Sequence, residues 1–316
     1  MKVTLDLTAL LAEGKITQAE YDRFAGYAAT GTGSLAFNIL VGFGVIAVAA
    51  GLVALVPDPT TGIVLGGGIL AAGLGLYWQG SHAWEVLAHI CVLVGALMLA
   101  GGIVIVDLGS FRSFLIVAVG FAVMGVLARS SLLIALAVLA LSACIGAQTG
   151  YLHAMYFVGI EEPTLTIFVF AVLALAAYQA SYRIPAAYEP LAIAAARTSI
   201  FLVNFGFWIG SLWGDKNENW HLEIPDTAFV IVWAVALIAV GVWAARVNRR
   251  WLVNVAAVFG AIHFYTQWFE RLGPNPLAVV FAGLIALAIA VALFNFNRHL
   301  FATRRMMVAG SPTPSS

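Results

Sequence analysis

Ten apolar stretches, each about twenty residues long, follow one another between residues 34 and 297, and they leave this chain few ways to fold. They fall at about 35–56, 60–78, 84–106, 111–128, 131–149, 163–182, 190–213, 227–245, 251–272 and 275–296. A helix rises about 1.5 Å per residue, so each run is long enough to cross a hydrocarbon core of about 30 Å. A backbone crossing lipid must satisfy its own N–H and C=O groups, which selects helices over open strands. Charged residues are only 9% of the 316 positions, against about 25% in a soluble domain. The expected fold is all-α: a polytopic transmembrane helical bundle of about ten spans over 34–297. A short helical hairpin and linker (1–33) precede it, and a basic, then disordered tail (298–316) follows.

Orientation is read from where Lys and Arg fall. Lys2, Lys15, Arg23, Arg129, Arg183, Arg246, Arg249, Arg250, Arg298, Arg304 and Arg305 lie on the N-terminal side. Arg112, Lys216 and Arg271 lie on the other, and Arg197 falls inside a span. The asymmetry predicts an even number of crossings, with both termini cytoplasmic. Trp78, Trp84, Trp243 and Trp251 fall near the inner interface, and Trp213, Trp220 and Trp268 near the outer one. No cleavable signal peptide is expected, because the first apolar run follows a polar leader. Formal net charge is zero, so the lipid bilayer is the expected partner and nucleic acid is not.

The leader "LDLTALLAEGKITQAEYDRFAGYA" reads as two short helices around Gly14 and Lys15. Thr17 and Glu20 form a T-x-x-E capping box at the second helix's start. Leu7, Leu10 and Leu11 are placed to pack against Tyr21 and Phe24, and "TGTGS" reads as a flexible link to the first span. A hairpin this small buries little alone, which makes residues 1–30 a candidate docking element for a protein partner. The stretch "AEGKITQAEYDRF" ahead of a multi-spanning bundle resembles a family of bacterial membrane proteins of unknown function. "NVAAVFGAIHFYTQWFERLGPNPLAVVFAGLIALAIAVALF" is similar to that family's closing pair of spans. The resemblance implies the architecture but no activity and no site residues.

Enzyme signatures fail on inspection. "EGKIT" lacks the upstream glycine and Lys-Ser/Thr of a phosphate-binding loop. "GFGVIA" and "GTGSLA" do not follow strands, and no G-x-S-x-G occurs. No catalytic residue, cofactor or metal ion is therefore expected. Cys91 and Cys144 lie in apolar runs and read as small buried side chains. In "HAWEVLAH", Glu85 and His89 share a helix face and His82 lies in the preceding loop, which favours a hydrogen-bonded pair over a zinc site. His263, Gln267 and Glu270 form a polar stripe on the ninth span, expected to face other helices or a wet path. By topology His153, His221, Asp107, Glu161, Glu162 and Glu223 gather on the outer side, which leaves an outer metal site open as an alternative.

The seventh span carries two faces. Arg197, Asn204 and Ser211 repeat every seven residues, and Gly206, Gly210 and Gly214 form a G-x-x-x-G-x-x-x-G face for close helix packing. Arg197 enters only about 9 Å into the bilayer at 1.5 Å per residue. Two readings stay open: snorkelling to the inner interface, or pairing with Glu85, with His89 and Asn204 nearby. Two functional classes follow. A non-catalytic membrane scaffold or accessory subunit leads. A small-solute or ion transporter with a 5+5 inverted repeat is the alternative, and an intramembrane enzyme ranks last.

Overall fold

The computed structural model describes residues 7–80, 84–152, 155–217, 222–247, 249–273, 275–288 and 290–291. In chain order these form α1 (Leu7–Ala12), α2 (Gln18–Leu55), α3 (Pro59–Trp78), α4 (Glu85–Val106), α5 (Phe111–Leu127) and α6 (Ser131–Ala143). The antiparallel hairpin β1 (Ala147–Leu152) and β2 (Met155–Ile160) comes next, then α7 (Pro163–Ser181) and α8 (Glu189–Trp213). A second hairpin, β3 (Asp215–Asn217) and β4 (Leu222–Ile224), precedes α9 (Asp226–Arg246), α10 (Arg250–Leu272) and α11 (Pro276–Ala288).

Five helices, α3, α4, α7, α8 and α9, are long and apolar enough to cross a membrane, where the sequence led us to expect about ten. The segment Leu40–Leu55 of α2, together with α5, α6 and α11, is apolar but shorter. Helix α10 has 23 residues, but its polar groups and terminal charges keep it out of that set. The expected span 131–149 is cut short because α6 stops at Ala143 and the following residues pair as strands. Tyr, Phe, Val and Ile in "MYFVGI" suit a pleated surface. Gly146, at φ +85°, makes the turn into β1.

The leader matches expectation at its start and departs from it at its end. Gly14, at φ +66°, lets the chain turn after α1, and its N–H and that of Lys15 close on Leu11 and Leu10 carbonyls. Thr17 then caps α2: its Oγ1 accepts from the Glu20 N–H at 3.3 Å, while its own N–H donates to Glu20 Oε2 at 2.9 Å. The expected flexible link at residues 30–34 is instead helical, inside one 38-residue helix. Once a capped turn has nucleated, each added residue gains a hydrogen bond. An interior glycine costs only about 1 kcal/mol against that.

The box also titrates. The Thr17 N–H, and next its hydroxyl, hold the Glu20 carboxyl below its ordinary value of 4.5. A depressed folded-state pKa means the contribution is complete above 4.5 and is lost as pH falls through the lower folded value. Hydrogen exchange of the first turn of α2 is expected to quicken with acidification below pH 4.5, beyond the intrinsic pH dependence. Thr17→Ala is expected to flatten that response, and an unchanged profile in the variant would remove the box as its cause.

The chain divides into two compact units, Met1–Val203 and Asn204–Ser316. The core of the first is built by Leu70, Val92, Ala96, Val117, Phe121 and Leu133 from α3 to α6. A second cluster there joins Val138, Phe170 and Leu202 of α6, α7 and α8. Its tightest seam lies between α3 and α4, and the sequence reading missed it. A Cβ on Gly66 would sit 2.6 Å from Leu99 N, and one on Gly73 2.7 Å from Val92 N. From the other side, Cβ atoms on Gly95 and Gly102 would meet the Gly66 and Pro59 carbonyl oxygens at 2.7 and 2.8 Å. The seven-residue spacings Gly66–Gly73 and Gly95–Gly102 were visible signals of this seam. In the second unit α9 and α10 pack as a pair, and α11 returns along α10.

Candidate functional site

The second unit holds a set of buried polar groups arranged around one tryptophan. Trp233 of α9 is 1% exposed, so its indole N–H needs a protein acceptor. It donates to Oδ1 of Asn204, at 3.0 Å, near the middle of α8. The Phe207 ring lies parallel to Trp233 with centroids 6.4 Å apart, and His263 of α10 meets it edge-on at 4.8 Å. A second indole repeats the device: Trp208 donates to Thr266 Oγ1 at 3.0 Å. Helix α10 is thus joined to α8 by the Trp208–Thr266 bond and to α9 by the edge-on contact of His263 with Trp233, whose own bond ties α9 to α8.

Next to this cluster lies a groove of about 740 Å³ between α9 and α10. Thr227, Val230 and Ile231 line it from α9, and His263, Gln267 and Arg271 from α10. The buried atoms His263 Nδ1 and Gln267 Nε2 have no hydrogen-bond partner among the described residues. Buried polar groups without partners are uncommon and costly, about 1–3 kcal/mol each. The stripe expected on this helix is corrected at one position. Arg271, four residues beyond Gln267, lines the groove, whereas Glu270 is exposed and is not among the groove's lining residues.

The seventh apolar run is likewise only partly as expected. Asn204 is 8% exposed and Ser211 4%, whereas Arg197 is exposed. Ser211 satisfies its hydroxyl by donating to the Trp208 carbonyl of its own helix at 2.7 Å. Gly206 is buried. Gly210 does admit a close neighbour, but it is the Phe229 ring, 2.6 Å from where a Cβ would sit. Gly214 is not on the helix face at all. It follows the end of α8 at φ +70° and turns the chain against the Ile224 carbonyl.

In the first unit Glu85 is exposed in the first turn of α4, and Arg197 is exposed on α8. His89 Nδ1 donates to the main-chain carbonyl of Glu85 at 2.7 Å, and its ring meets Tyr77 of α3 edge-on. Asn204, expected near these three, gives its amide oxygen to Trp233. Cys91 is buried and Cys144 half-buried, and both are free thiols. Among the described residues no three His, Cys, Asp or Glu side chains come together as a metal would need. His82, His153, His221 and Trp220 lie outside the described residues, as does the tail from residue 298.

The sequence pattern, the helical architecture and the Asn204–Trp233–His263 cluster thus stand on this chain alone: no family model, curated protein or solved structure matches it.

Proposed function

We propose that the protein is a multi-pass inner-membrane scaffold or accessory subunit without catalytic activity of its own. The observation that carries this reading is how the buried hydroxyls are spent. Ser113, Ser142, Ser181 and Ser211 each donate to a carbonyl three residues earlier in the chain, at 2.7–2.8 Å. Hydroxyls that donate to their own helices have their single proton committed and need no partner from a substrate. Thr166 Oγ1 and Ser199 Oγ, with no partner among the described residues, are the exceptions in the first unit.

The leader supplies a docking element on this reading. Residues 7–24 form a capped hairpin whose Leu10, Leu11 and Tyr21 stay half-buried, a surface that a partner subunit would complete. The Lys and Arg asymmetry supports both termini on the cytoplasmic side of an even number of crossings. The shorter apolar helices and α10 would complete ten crossings, with local thinning of the bilayer around them. The resemblance of the leader and closing spans supports a place in a bacterial membrane-protein family. A transport reading is favoured by one specific observation, the pair of unpartnered polar atoms at the α9–α10 groove.

Affinity purification of the full chain from native membranes tests the proposal. We expect a stoichiometric partner that is lost on deleting residues 1–30, and a reporter fused after Ser316 that reads on the cytoplasmic side. A chain that purifies alone and carries a solute into vesicles would overturn the scaffold reading.

A further inference from the structure

The α9–α10 groove holds an ordered row of polar groups on an apolar floor. His263, Gln267 and Arg271 follow at intervals of four residues, so they rise in steps of about 6 Å along one side of α10. The deepest two present buried atoms with no partner among the described residues, Nδ1 and Nε2. The third is an exposed cation at the end of the helix. Opposite them Val230 and Ile231 of α9 supply aliphatic wall, and Ile231 is 64% exposed.

A free inorganic anion would use Arg271 but leave the apolar wall and the two deeper groups idle. A bare hydrocarbon would use the wall but leave both polar atoms unsatisfied. A molecule with one anionic group, then carbonyl acceptors, then hydrocarbon, matches the row in order. The groove's volume of about 740 Å³ falls within the range of ligand pockets, about 300–1,000 Å³. Arg271 lies in the last turn of α10, and Gly273 turns the chain away after it at φ +70°. Glu270 adjoins Arg271 in sequence but is not among the groove's lining residues.

We propose that this groove is a binding site for a glycerophospholipid of net negative charge. Its phosphate sits on Arg271, an acyl chain runs along Val230 and Ile231, and its ester carbonyls accept from the Gln267 amide and from His263 Nδ1–H, which turn into the groove to meet them. A zwitterionic lipid carries the same phosphate and esters, but its ammonium group opposes the arginine. The site therefore selects on headgroup charge, and it is independent of the scaffold reading.

Native mass spectrometry of the full chain, in mixed micelles with equal mole fractions of phosphatidylglycerol and phosphatidylcholine, tests this. The wild type is expected to retain the anionic lipid about fivefold more, the size of one cation's contribution near a membrane surface. Arg271→Gln is expected to abolish that preference, and Gln267→Leu to reduce retention of both lipids. Because Arg271 is exposed, its variant carries the test even where Gln267→Leu fails to fold. Equal retention by the wild type, or a preference that survives Arg271→Gln, overturns the proposal. Stabilisation by inorganic phosphate alone, matched by no lipid preference, assigns the groove to a free anion and overturns it too.

Discussion

Gly95→Ala is expected to destabilise the protein by about 3 kcal/mol, at the upper end of what overpacking costs. The same change at Gly101, six residues along α4, is expected to be neutral or to stabilise. A methyl group on Gly95 meets the main chain of α3 on three sides. Its nearest neighbours would be Leu70 N, the Gly66 oxygen at 2.7 Å and Leu70 Cα at 2.8 Å. Ordinary van der Waals contact begins near 3.4 Å, and backbone cannot swing aside as a side chain does. Helices α3 and α4 would therefore have to separate, and the contacts of Leu70, Val92 and Ala96 would loosen with them. Nothing lies within 4 Å of a Cβ on Gly101, so there alanine's better helix propensity, worth up to about 1 kcal/mol, is all that changes.

Thermal unfolding of the detergent-solubilised protein measures both. At about 2–4 °C per kcal/mol for a unit of this size, Gly95→Ala lowers the midpoint by roughly 6–12 °C. Equal shifts for the two variants would mean that glycine content, rather than this seam, sets the effect. Gly66→Ala, which would put its Cβ 2.6 Å from Leu99 N, should behave as Gly95→Ala does. The double variant should cost less than the sum, because either change alone already separates the helices.

What the sequence disclosed and what it withheld follow the range of the interactions. The Thr17–Glu20 box joins residues three apart, so spacing alone reveals it. Apolar runs likewise announce helices, because burial in lipid depends on a residue's own side chain. Strand pairing is different. Ala147 faces Ile160 across a turn, and an apolar run cannot say whether its hydrogen bonds close within the segment or across it. The continuity of α2 was hidden for another reason: glycines signal a link in water, but a capped helix carries them at modest cost. On α10, His263 and Gln267 lie four residues apart and both line the groove. Only the position of α9 shows that Arg271, and not Glu270, completes the row. Asn204 stands out for its seven-residue spacing from Arg197 and Ser211, yet its indole partner is 29 residues away, beyond any helical periodicity.

That partner carries the second large effect. Trp233→Ala is expected to cost about 3–5 kcal/mol, the range for removing a fully buried aromatic. It takes away the ring between Phe207 and His263 as well as the bond to Asn204. Trp233→Phe separates the two contributions, because it keeps most of the ring and removes only the donor. It is expected to cost about 1–3 kcal/mol, the penalty for leaving a buried acceptor unmet. Asn204→Leu leaves the indole N–H unmet instead and should cost a similar amount. If the bond matters as a pair, Trp233→Phe combined with Asn204→Leu will cost clearly less than the two single changes added together. Additive losses would mean that Trp233 acts through its volume alone, and that Asn204 serves a different neighbour. Thermal unfolding midpoints of the four proteins decide between these outcomes. Exchange protection of α10 locates the damage: His263 touches the Trp233 ring directly, so α10 should lose protection in Trp233→Ala and keep it in Trp233→Phe.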